Sequence, residues 1–183
     1  MFIVDENGGI VSDRHDQDKY ESFICERLLE DGISLQPIGN RPAERRCGNL
    51  LGLDIIYDTR MEQRGGIYIE THFMEVPPLP FLFRSTLFRD NGSWLYGIGN
   101  HKLFFIFGKK SLRRIISFME RNLHLWKNVV LLQTATSRGF VIPSDLAEML
   151  SLKMFAFKDG VTCSRVIDPP CESARMAIEA ILN

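Results

Sequence analysis

Gly52-Leu53-Asp54-Ile55-Ile56-Tyr57-Asp58 and Ile67-Tyr68-Ile69-Glu70-Thr71-His72-Phe73 decide how the rest of the chain is read. Both stretches are rich in Ile, Leu, Tyr and Phe, are bounded by Gly and alternate or nearly so, which predicts two strands. The segment from Thr59 to Ile67 carries Arg60, Glu62, Gln63, Arg64 and Gly65-Gly66, a polar turn of hairpin length. Each strand sets one carboxylate, Asp54 or Glu70, among apolar neighbours. A carboxylate there is costly unless it is paired or binds a cation. Two of them on antiparallel neighbours predict a metal site.

Outward from this pair, Lys19 to Glu30 keeps a helical period with Tyr20, Phe23, Ile24, Leu28 and Leu29, with Asp18 as N-cap and Asp31-Gly32 as stop. Residues 1 to 18 suit a small hairpin or a loose arm. Ile33 to Gly48 is irregular and carries Arg41, Glu44, Arg45 and Arg46, a basic loop leading into the first strand. Pro77, Pro78 and Pro80 forbid a central strand after Phe73. Phe81-Leu82-Phe83 beside them suits either core or an exposed dimer contact.

Trp94 to Asn100 and Leu103 to Phe107 read as a hairpin around Gly99-Asn100-His101-Lys102, or as one interrupted strand. Lys109 to Leu125 is a strong helix, with Leu112, Ile115, Ile116, Met119 and Leu123 inward and Lys110, Arg113, Arg114 and Arg121 largely outward. Val129 to Leu132 reads as a buried strand and Phe140 to Ile142 as another. Helices follow from Pro143 or Ser144 to about Leu152, and from about Glu172 to Leu182.

The chain has 183 residues, 45% of them hydrophobic and 25% charged, enough for a sizeable core in one domain. Its 22 basic and 23 acidic residues nearly cancel, so only clustering can speak for nucleic acid. Cys25, Cys47, Cys163 and Cys171 form no C-x-x-C pair, which argues against cysteine-built zinc. The opening Met1-Phe2-Ile3-Val4 is too short for a secretory signal, and no stretch is long enough to span a bilayer. A reduced, cytoplasmic setting is expected. Walker, G-x-S-x-G, H-E-x-x-H and dinucleotide fingerprints are absent.

The helix with Glu21, the strand with Asp54 and the strand with Glu70-Thr71-His72 follow an order that resembles the PD-(D/E)xK nuclease superfamily over roughly residues 19 to 142. Asn91 to Lys110, with Thr136-Ser137-Arg138-Gly139-Phe140, also resembles uncharacterised phage-encoded proteins. The resemblance implies an α/β fold: a mixed central β-sheet flanked by helices, with a restriction-endonuclease-like αβββαβ core and a C-terminal extension over 143–183. It implies a metal-dependent endonuclease hydrolysing phosphodiester bonds in DNA, working as a homodimer. Asp54 and Glu70 would hold one or two Mg²⁺ (or Mn²⁺) ions, the backbone carbonyl of Thr71 would complete the shell, and Glu21 would be an accessory acid. Mg²⁺ takes oxygen ligands, lowers the pKa of a bound water and neutralises phosphate charge.

His72 departs from that family's pattern, which has Lys there. The two-residue period puts His72 on the face of Glu70, where it could contact the water or the phosphate. Lys102 could instead reach in from a neighbouring strand, or catalysis has been lost and only the fold remains. Gly66-Ile67-Tyr68 and Tyr96-Gly97-Ile98-Gly99 resemble the GIY-YIG tripeptides, but a proline-rich break separates them.

Bland readings stand beside these. Asp54 can accept hydrogen bonds from the backbone or from Arg45 and Arg46, Glu70 can pair with an arginine across strands, His72 can be a half-exposed strand residue, and Glu21 can be solvated. Lys109, Lys110, Arg113 and Arg114 gather at a helix start, where cations oppose the macrodipole and a phosphate would compensate. They read either as a plain solvated face or, with Arg41, Arg45, Arg46, Trp94 and Tyr96, as a nucleic-acid groove with stacking surfaces. The alternative to a nuclease is a non-catalytic nucleic-acid-binding or protein-interaction module on the same scaffold. A small-molecule enzyme is the third reading.

Overall fold

A computed structural model describes residues 3–4, 10–11, 13–34, 52–74, 82–134, 136–158 and 161–166. Arg41, Arg45, Arg46, the prolines at 77, 78 and 80, and the expected helix from Glu172 lie outside the described residues. Two short strands, β1 (Ile3–Val4) and β2 (Ile10–Val11), pair antiparallel. The chain is mixed α/β, with two larger sheets where one central sheet was expected.

Helix α1 runs over Asp13–Glu30, six residues earlier than expected, so Asp18 lies inside it and is not its cap. The apolar periodicity starts only at Tyr20, which hid the turns before it. Tyr20, Ile24 and Leu28, four residues apart, form one fully buried stripe. The helix ends in paired hydrogen bonds, Gly32 N to Leu29 O (3.0 Å) and Ile33 N to Leu28 O (2.8 Å), which satisfy its last carbonyls.

Strand β3 (Leu53–Tyr57) leads into a one-turn helix, α2 (Met61–Arg64), and then strand β4 (Gly66–Met74). This corrects the hairpin. Asp58 holds the intervening turn: it accepts from the backbone N–H of Arg60 (3.2 Å) and Tyr68 (2.8 Å) and from the Arg64 guanidinium. Gly65 (φ 68°) supplies the left-handed residue that releases the chain from α2. β3 then pairs parallel with β6 (Leu95–Gly99), while β4 joins the other sheet.

The first sheet has the order β11-β10-β7-β6-β3, with β7 over Leu103–Gly108, β10 over Lys153–Lys158 and β11 over Val161–Val166. Only β3/β6 is parallel. The second, all antiparallel, has the order β5-β4-β9-β8, with β5 over Leu82–Arg84, β8 over Val130–Gln133 and β9 over Ser137–Pro143. Helices α3 (Lys109–Arg121) and α4 (Ser144–Leu150) complete the described elements, with short 3-10 turns at Thr86–Phe88 and Leu123–Leu125. None of the described helices is long and apolar enough to cross a membrane.

Alternation along the strands divides two cores. Leu53, Ile55, Phe104, Ile106 and Phe155 pack on the α1 stripe. Tyr96, Ile98, Phe105 and Phe107, from the opposite face, pack with Ile67, Ile69, Phe140 and Ile142 of the second sheet and with Leu112, Ile115, Ile116 and Met119 of α3. The first sheet is thus covered on both faces, and β7 reads as an unbroken apolar run for that reason. Gly97 permits this packing, since a Cβ there would sit 2.2 Å from the Phe104 ring. β8 is a correction: it is an edge strand, with Val130 57% exposed. The β3 edge of the first sheet is covered by Gln17 of α1, whose amide donates to Ile55 O (2.8 Å) and accepts from Tyr57 N (3.0 Å).

Candidate nucleic-acid interface

Asp54 is 8% exposed and lies on the β3 face opposite Leu53 and Ile55, in register with Tyr96. Its cation is internal. Lys109, the first residue of α3, is 2% exposed, and its Nζ donates to Asp54 Oδ2 (2.8 Å), Asn91 Oδ1 (2.6 Å) and Ser93 Oγ (2.6 Å). Asn91 Nδ2 donates to Asp54 Oδ1 (3.0 Å) and Oδ2 (3.2 Å), and Ser93 Oγ lies 2.7 Å from Asp54 Oδ2. All three ammonium protons and both carboxylate oxygens are therefore engaged. This corrects the reading of Lys109 as part of an outward basic cluster.

Glu70 stands on a strand of the other sheet, and burial pushes its carboxyl up from the usual range. Thr71 is buried, and its carbonyl accepts the Ser85 N–H (3.0 Å). A bulge here pairs Glu70 with Gly139 and His72 with Arg138. Gly139 and Arg138 are consecutive on β9, so Glu70 and His72 point to opposite faces rather than to the same one. The His72 imidazole lies 3.0 Å from Thr71 Oγ1 and is held below its ordinary pKa by burial and by Arg84 and Arg138, against the pull of Glu120. Glu21 sits on α1, across the first sheet from Asp54, and accepts from Gln17 Nε2 (2.7 Å). Lys102 does not approach Asp54: it is on the exposed β6–β7 turn and pairs with Glu62 (2.6 Å). The expected site residues thus do not assemble as one set.

The donor set fits a Mg²⁺ ion poorly. Lys109 occupies the place beside Asp54 that a metal would take, Asp58 is bound by Arg64 and the Tyr68 amide, and Glu70 belongs to the second sheet. Among the described residues no three His, Cys, Asp or Glu side chains are grouped to hold a metal. The carboxylates do share one neighbour. Burial, then the charges of Glu70, Asp54 and Asp58, push the Tyr96 phenol far above its ordinary value. Tyr96 is 3% exposed and so offers no stacking surface.

The rest of the basic helix start faces out. Lys110 and Arg114 are exposed, and Arg113 reaches the carbonyls of Leu87 and Arg89 (both 2.6 Å), tying α3 to the segment that follows β5. In that segment Arg89 lies over the Phe73 ring, and Arg84, the last residue of β5, lies over the Phe88 ring. Trp94, 58% exposed, is fixed beside the helix start: its carbonyl accepts the Lys109 N–H (2.8 Å) and its N–H donates to Gly52 O (2.9 Å). Trp94 is thus an exposed aromatic residue joined through its backbone to the start of the helix that carries Lys110 and Arg114. Sequence reasoning missed Asn91, Ser93, Arg84 and Arg89. The first two lie in a stretch that reads as an ordinary turn, and the arginines gain meaning only from the elements beside them.

No protein-family model matches the chain, and neither the curated proteins nor the solved structures contain a match.

Proposed function

We propose that the chain is a nucleic-acid-binding module that engages single-stranded DNA through Trp94 and the cations of α3 and the β5–β6 connection. The observation that supports it is the fixed, exposed Trp94 at a helix start bearing Lys110 and Arg114. Cations neutralise phosphates and release counterions, and the indole stacks on a base without regard to sequence. No metal is needed for either step. The test is fluorescence anisotropy of labelled single-stranded DNA at low salt. Trp94→Ala is expected to weaken binding by about 1–3 kcal/mol. Equal affinity of Trp94→Ala and wild type, with both folded, refutes the reading.

The charges of Asp54, Asp58 and Glu70 all act on the buried Tyr96 phenol, and this, together with the resemblance to PD-(D/E)xK nucleases and their restriction-endonuclease-like core, favours a second reading: a Mg²⁺-dependent DNA endonuclease. It requires Lys109 to leave Asp54. Calorimetric titration of Mg²⁺ or Mn²⁺ into wild type and the Asp54→Ala/Glu70→Ala variant, beside a plasmid-nicking assay, decides it. Metal binding and nicking that vanish together in the variant would establish the nuclease. Absence of both in wild type would end it.

A further inference from the structure

Three basic side chains stand in one lateral row on the second sheet. His72 of β4 is in direct register with Arg84 of β5 on one side and with Arg138 of β9 on the other. Directly opposed residues of antiparallel strands share a face and lie about 5 Å apart. The two arginines therefore flank one histidine from strands about 10 Å apart. Thr71 fastens the centre: its hydroxyl donates to Arg138 O (3.0 Å) and lies 3.0 Å from His72 Nδ1. The Arg84 side chain is steered by the Phe88 ring, 4.6 Å from its Cζ. Among the described residues, Glu120 of α3, 3.5 Å from Arg84, is the carboxylate that faces the row. Its single charge does not neutralise two arginines.

We propose that Arg84, His72 and Arg138 form a subsite for a terminal phosphate group. A guanidinium matches phosphate oxygens with a rigid two-pronged fork. Two guanidiniums bring two positive charges, which match the charge of about −1.5 to −2 on a phosphomonoester better than the single negative charge of a phosphodiester. The row therefore selects a chain end over an internal phosphate. The subsite deepens the single-strand reading by naming the part of the nucleic acid recognised, but it takes free phosphate as well. Its failure can thus be told apart from that of the parent reading.

The experiment titrates the folded full chain with inorganic phosphate, then with a short single-stranded DNA carrying or lacking a 5′-phosphate, and with the same pair at the 3′ end. Binding is followed by calorimetry and by the NMR signals of the histidine rings. Inorganic phosphate is expected to move the His72 signals and leave those of His101 and His124 in place. One phosphorylated end should bind about tenfold tighter than its unphosphorylated partner, and Arg84→Ala or Arg138→Ala should each remove that preference. Arg84→Lys and Arg138→Lys, which keep the charge without the fork, should weaken it if an alanine variant fails to fold. Phosphate binding without DNA binding would uphold the subsite and reject the nucleic-acid reading. DNA binding indifferent to terminal phosphate and to all four variants would overturn the subsite and leave that reading standing.

Discussion

Lys109→Met isolates the buried ion pair. Methionine fills a similar volume but removes the ammonium, so Asp54, 8% exposed, keeps among the described residues the Asn91 amide and the Ser93 hydroxyl as side-chain donors. Asn91 Oδ1 also loses its 2.6 Å bond from Lys109. Removing one partner of a buried pair leaves an uncompensated charge and costs about 3–5 kcal/mol. For a chain of this length each kcal/mol moves the melting temperature by about 2–4 °C, so a fall of roughly 6–20 °C is expected. Urea unfolding followed by circular dichroism at neutral pH measures it. Asp54→Asn/Lys109→Met removes the stranded charge, and it should lose less than the sum of its two single variants, with a coupling of about 1–3 kcal/mol. A Lys109→Met variant within 1 kcal/mol of wild type, or strictly additive single losses, would refute the buried-pair account.

Further outcomes follow from other contacts. Gln17→Ala uncovers the outer edge of β3 and should cost about 1–2 kcal/mol from two lost hydrogen bonds, with faster amide exchange at Tyr57; unchanged exchange there would contradict it. The Asp31 carboxyl is held below its usual range, first by Lys153 and then by Ser164. The unfolded chain therefore binds that proton more readily, so the stability this group contributes is present above about pH 4 and is lost as pH falls through the lowered value. Asp31→Asn should flatten the acid limb of a stability–pH profile, and an unaltered limb counts against the pairing. Lys102→Ala removes only an exposed pair with Glu62, so unchanged DNA affinity and unfolding midpoint are expected; loss of binding would return Lys102 to the site.

Strands were legible wherever side chains alternate between two buried faces, as in the 53–57 and 66–74 stretches, because period two is a local property. Partnership was not. Nothing in Thr59–Gly66 distinguishes a hairpin turn from the single helical turn and left-handed Gly65 that send β3 and β4 into different sheets. Pairing is fixed by long-range packing, here by β6 and β9. Asp54 was correctly singled out as a costly charge, but its counter-ion came from 55 residues away. Lys109 looked solvated among Lys110, Arg113 and Arg114. Yet its spacing of three and seven from Leu112 and Ile116 already put it on the buried stripe of α3. The shared face assigned to Glu70 and His72 failed at one bulge, which no periodicity reveals.

The salt dependence of single-stranded DNA binding, measured in EDTA, tests the central claim most directly. Each neutralised phosphate of a single strand contributes about 0.7 to the slope of log K against log[salt]. If Lys110 and Arg114 contact phosphates, Lys110→Ala/Arg114→Ala should bind more weakly and show a slope smaller by about 1.4. A slope equal to that of wild type, or binding that disappears from wild type when divalent metal is chelated, would contradict a metal-free cationic and stacking interface.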